Sequence, residues 1–123
     1  MEAGNDDVFI AESLVHADGI INADLSINPG SSIFKGHFPE QPVVPGACML
    51  QLVKDVLESA LGYSIQLKKA GNLKFIGMIV PTATNAILLE IGYKLIVDEI
   101  NVNAKLVDGD RVCFKFQGSF FCT

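Results

Sequence analysis

The chain has 123 residues, half of them hydrophobic, with nine basic and fourteen acidic side chains and a formal net charge of −5. That length fits one domain over residues 1–123 with a real core. The acidic balance and the lack of any apolar run near the ~18 residues of a membrane span exclude a nonspecific nucleic-acid binder and a helical membrane protein.

Residues 1–7 (MEAGNDD) are acidic and polar, unlike a secretory leader, and are expected to form a flexible tail on a cytoplasmic protein. Val8, Ile10, Glu12, Leu14 and His16 share one parity and predict a half-buried strand. After a turn at Ala17-Asp18-Gly19, Ile21, Ala23, Leu25 and Ile27 alternate with polar residues in a second strand. Asn28-Pro29-Gly30-Ser31-Ser32 opens a loop that carries His37 and Phe38. Pro39, Pro42 and Pro45 hold that loop extended, since each fixes its own φ and restricts the residue before it.

A helix is predicted from Pro45-Gly46 to a stop at Gly62, with no proline or glycine between Ala47 and Leu61. Its first turns (Ala47, Cys48, Met49, Leu50, Leu52, Val53) are apolar on nearly every side, which predicts burial all round, and Gln51 is the one polar residue among them. Period two then returns. Ile65, Leu67, Leu73 and Phe75 predict a third strand, bulged at Ala70-Gly71-Asn72 and ended by Val80-Pro81-Thr82. Ile87 to Val97 and Ile100 to Leu106 give two more strands, and Asp108-Gly109 turns the chain into a last strand with Val112, Phe114, Phe116 and Phe120. The fold class is therefore α+β: a curved antiparallel sheet of about six strands wrapped around one long central helix.

His37-Phe38-Pro39, Pro42 and Pro45-Gly46 at the start of a long helix resemble the 3-hydroxyacyl-acyl-carrier-protein dehydratases of fatty-acid synthesis, which have the hot-dog fold. The match is specific over residues 36–55. The resemblance implies that His37 abstracts the α-proton of a thioester-linked 3-hydroxyacyl chain. It also implies that the Gly46 N–H polarises the thioester carbonyl, with Phe38 and Pro45 beside it. Histidine suits proton transfer at neutral pH, and a helix N-terminus suits developing enolate charge.

The family's acid, a helix carboxylate supplied by the neighbouring subunit, falls on Gln51. One turn later, where glutamine is usual in the family, stands Asp55. Four residues apart, the two lie about 40° apart on one helix face. Either Asp55 acts as the acid from one turn deeper, or the site has lost its acid. The readings are therefore a dehydratase, a noncatalytic subunit that binds an acyl chain or completes a partner's site, and a thioesterase of the same fold.

The implied partner is an acyl-carrier-protein-bound substrate. Lys68, Lys69 and Lys74, the densest basic cluster, are candidates for docking that acidic carrier, against a plain reading as solvated lysines. A mean hydropathy of +0.38 leaves apolar surface to cover and predicts a homodimer or trimer of dimers, or a hetero-complex with a related subunit. The three cysteines (Cys48, Cys113, Cys122) have no metal-like spacing, and neither a metal nor a nucleotide cofactor is expected.

Overall fold

The computed structural model describes residues 8–32, 34, 44–81 and 86–123; the predicted tail at residues 1–7, His37 and Phe38 lie outside them. The elements are β1 (Phe9–Ala17), β2 (Ile20–Ile27), α1 (Gly46–Leu61), β3 (Ile65–Phe75), β4 (Ile87–Ile96), β5 (Glu99–Asp108) and β6 (Arg111–Cys122). The six strands form one antiparallel sheet in the order β1-β2-β4-β5-β6-β3. Tight turns explain the local pairings. Asp18 and Gly19 both take positive φ between β1 and β2, and Gly109 does so between β5 and β6.

Alternation decides which face of the sheet meets the helix. Ile21, Ala23 and Leu25 of β2, Ile87, Leu89 and Ile91 of β4, and Ile100, Val102, Ala104 and Leu106 of β5 are buried. Together with Phe114, Phe116 and Phe120 they form one cluster with Met49, Leu52, Val53, Val56 and Leu57 of α1. Covering a Leu, Val or Phe side chain contributes about 1.5–3 kcal/mol, so this cluster dominates the stability of the domain.

The helix runs its predicted length and ends as predicted. Gly62 takes φ 83° and its N–H donates to Glu58 O at 2.8 Å, closing the last turn. Three expectations are corrected. First, α1 is buried on one face, not all round: Ala47, Gln51 and Ser59 are exposed. Its apolar first turns therefore exceed what this one sheet covers. Second, β1 is exposed along nearly all its length, because it is an edge strand beyond the reach of the helix. Third, β3 ends at Phe75 and not at Val80-Pro81, because the N–H groups of Ile76 and Gly77 turn in to share Cys113 O at 2.8 and 3.1 Å. The bulge predicted near Gly71 is present, with a second register shift between Leu67 and Lys69.

Candidate active site

The start of α1 is set by residues far from it in sequence. Val44 is buried and its N–H donates to Ile79 O at 2.9 Å. The segment carrying Ile79 is fixed in turn by Arg111, whose Nη2 donates to Met78 O at 3.0 Å while pairing with Asp108 at 3.3 Å. Pro45 then takes φ −64° and ψ 145°, an extended conformation that serves as the N-cap without any side-chain hydrogen bond. No acidic residue occupies the first turn, and among the described residues no side chain caps the positive end of the helix.

Gly46, first in the helix, is held against an aromatic ring. A Cβ at this position would lie 2.6 Å from Phe75 Cε1 and 2.7 Å from Phe75 Cζ. The Phe75 ring is itself backed by Phe114, with centroids 5.3 Å apart. Any larger residue here would have to push that ring aside. Phe75 is a site residue that the sequence reading placed only as one more strand residue; its alternation looks like that of any core position.

One and two turns along, on the exposed side of α1, Gln51 Nε2 donates to Asp55 Oδ1 at 2.9 Å. The predicted neighbours are therefore in direct contact, with the amide orienting the carboxylate. Both line an open cleft of about 740 Å³ between α1 and the first two strands, walled by Phe9, Leu14, Leu25, Val56 and Tyr63. This volume suits a small acyl chain. Cys48 also lines it, and burial raises its thiol pKa above the ordinary cysteine value, which weakens any reading of it as a nucleophile. His16 lies elsewhere: its Nε2 is hydrogen-bonded to the Tyr93 hydroxyl, and it does not line the cleft.

The structure brings Gln51 and Asp55 together in the cleft, while Pro45 and Gly46, at the start of the same helix, do not line it. It does not bring Lys68, Lys69 and Lys74 to the cleft. Lys68 pairs with Glu99, and Lys69 and Lys74 stand opposite Ser119 and Lys115 on the sheet face that points away from α1. Among the described residues no group of three His, Cys, Asp or Glu side chains could hold a metal ion, and no helix is long and apolar enough to cross a membrane.

A family model of ApeI-like dehydratases matches residues 13–109. Among solved structures, the dehydratase heterocomplex ApeI:P from Xenorhabdus doucetiae is similar at a TM-score of 0.75 and 22% identity, over 93% of this chain and 97% of that one. The E. coli PaaI protein from the phenylacetic acid degradation operon matches at 0.65 and 8% identity, over 90% and 78%. A hypothetical thioesterase with coenzyme A from Streptococcus pneumoniae matches at 0.64 and 9%, over 94% and 88%. At such identities these likenesses establish a hot-dog-like fold of six antiparallel strands and one helix.

Proposed function

Because the chain belongs to the ApeI-like dehydratase family, we propose that it removes water from a 3-hydroxyacyl chain carried as a thioester on acyl carrier protein, in fatty-acid or related acyl-chain biosynthesis. The observation that carries this reading is the hydrogen-bonded Gln51–Asp55 pair in an acyl-sized cleft, on the helix that Gly46 begins.

In this reading His37 takes the α-proton. The electrons left on Cα delocalise onto the thioester oxygen, which the Gly46 N–H and the helix dipole stabilise. They then form the Cα–Cβ double bond as the Cβ–O bond breaks. The departing hydroxyl takes a proton from the Asp55 carboxyl of the partner subunit and leaves as water, because on its own helix Asp55 lies about 13 Å beyond Gly46. Gln51 donates to Asp55 Oδ1 and so holds the carboxyl in place on the helix. Proton transfer from His37 back to Asp55 completes the cycle. The direct assay is loss of water from 3-hydroxyacyl thioesters of several chain lengths on the carrier. Absence of any enoyl product overturns the proposal, and release of free thiol without enoyl product identifies a thioesterase.

A second reading is favoured by one feature, the amide at the place of the family's acid. It makes the chain a noncatalytic subunit completing a partner's site, and a solved structural neighbour is itself a heterocomplex. Inactivity alone, with activity on adding a related subunit, supports that reading.

The site is proposed to lie between two subunits in the cytoplasm. Leu67, Leu73 and Phe75 of the edge strand β3 share the core-facing side of the sheet yet remain 38–53% exposed, and Ile76 and Met78 continue that surface. A second copy placed on this edge would cover them and the open side of α1. Light scattering at micromolar concentration is expected to show at least a dimer; a monomer refutes the shared site.

A further inference from the structure

Strand register gathers most of the chain's positive charge on one surface. On the sheet face that points away from α1, Glu90 stands opposite Lys105, Lys105 opposite Lys115, and Lys115 opposite Lys74. A second row on that face runs Lys94, Asn101, Ser119, Lys69. Lys68, next to a register shift, reaches Glu99 on the same side. Six of the nine basic residues thus share one face of a protein with a net charge of −5.

The charge is poorly neutralised. Glu90 pairs with Lys105 at 3.1 Å and Glu99 pairs with Lys68, while Lys69, Lys74, Lys94 and Lys115 enter no ion pair among the described residues. Like charges directly opposite each other weaken a sheet, so the Lys105, Lys115, Lys74 row works against folding. Between the two rows lies an uncharged floor of Gly92, Asn103, Gln117 and Asn72, part of a concavity of about 560 Å³. The face also adjoins the candidate site, because Lys74 precedes Phe75, whose ring lies on Gly46.

We propose that this lysine face docks an acidic protein, the carrier that presents the acyl thioester, and seats it on the outer face of the sheet, leaving the β3 edge to the second copy. The inference rests on the dehydratase reading above. It extends the docking surface from Lys68, Lys69 and Lys74 to a face centred on Lys105 and Lys115. An acidic carrier is repelled by the rest of this acidic chain, so the face both attracts and orients it. Nucleic acid and anionic membrane would meet the same repulsion over a larger surface.

The test is the double variant Lys105→Glu/Lys115→Glu, neither residue lining the cleft. At low salt its kcat/KM on the carrier-bound substrate is expected to fall about tenfold or more. Turnover of the same acyl group on pantetheine should stay within about twofold, and Tm should change little, since the row keeps one opposite-charge and two like-charge contacts: the Glu90–Lys105 pair is lost and an attraction between position 115 and Lys74 is gained. Wild-type activity on the carrier should decline with salt more steeply than that of the variant. Equal loss on both substrates, or no loss on either, overturns the docking face. Direct binding separates this inference from the reaction. If the wild type dehydrates neither substrate but binds the carrier, and the variant does not, the docking face stands and the dehydratase reading falls. A carrier that binds both proteins equally, or neither, overturns the docking face.

Discussion

The Asp55→Asn variant is expected to dehydrate a 3-hydroxyacyl thioester about 10²–10⁴-fold more slowly than the wild type, the usual contribution of a positioned general acid. His37→Ala should lose activity over the same range. Asparagine keeps the size of Asp55 and an oxygen to accept from Gln51 Nε2, so the contact at 2.9 Å can survive while the acidic proton is lost. The informative companion is the exchange Gln51→Glu/Asp55→Gln. It moves the carboxyl one turn towards Gly46 and leaves the amide and the carboxylate paired at the same spacing. Turnover within about tenfold of wild type is expected from the exchange, because either position lines the same cleft. An active Asp55→Asn protein beside a dead His37→Ala protein would place the acid on another residue.

The second large effect is expected at the start of the helix. In Gly46→Ala the new methyl would sit 2.6 Å from the Phe75 ring, closer than packed carbon atoms approach. The ring is about half exposed and backed by Phe114, so making room for the methyl means moving the ring off that contact. Overpacking of this kind costs about 1–3 kcal/mol. Displacing an oxyanion donor costs a further ~10²–10³ in kcat. Steady-state kinetics and thermal unfolding of Gly46→Ala, Phe75→Leu and their combination separate these two costs. The combination should recover much of the lost turnover, since the smaller side chain makes room for the methyl. Losses that merely add would show that the ring is not the obstacle.

Much of this was legible in the chain itself. The helix could be placed to the residue because Pro45 and Gly62 bracket a run without breakers, and the strands because apolar residues keep one parity. The extent of burial was not legible. An apolar run such as residues 47–50 says that the surface must be covered, not which chain covers it, and in one subunit Ala47 remains exposed. The same holds for β1, whose Leu14 and Val15 lie on an edge strand. The end of β3 was missed because Ile76, Met78, Ile79 and Val80 continue an apolar stretch, while the backbone bonds to Cys113 that redirect it come from β6. The lysine face was only partly visible. Lys74, Lys105 and Lys115 are remote in sequence and become neighbours through register alone.

The support beneath Val44 has a further consequence, for the order in which the site comes into being. The helix start leans on Ile79, Ile79 belongs to a segment held by Arg111 and by the carbonyl of Cys113, and those two residues open the last strand. A growing chain therefore exposes Gly46 long before it holds the parts that support the helix start. Catalytic geometry matures only when the C-terminal hairpin closes, through contacts of long sequence separation that form slowly. An unfinished or C-terminally clipped chain would carry every proposed catalytic residue and still lack an ordered site.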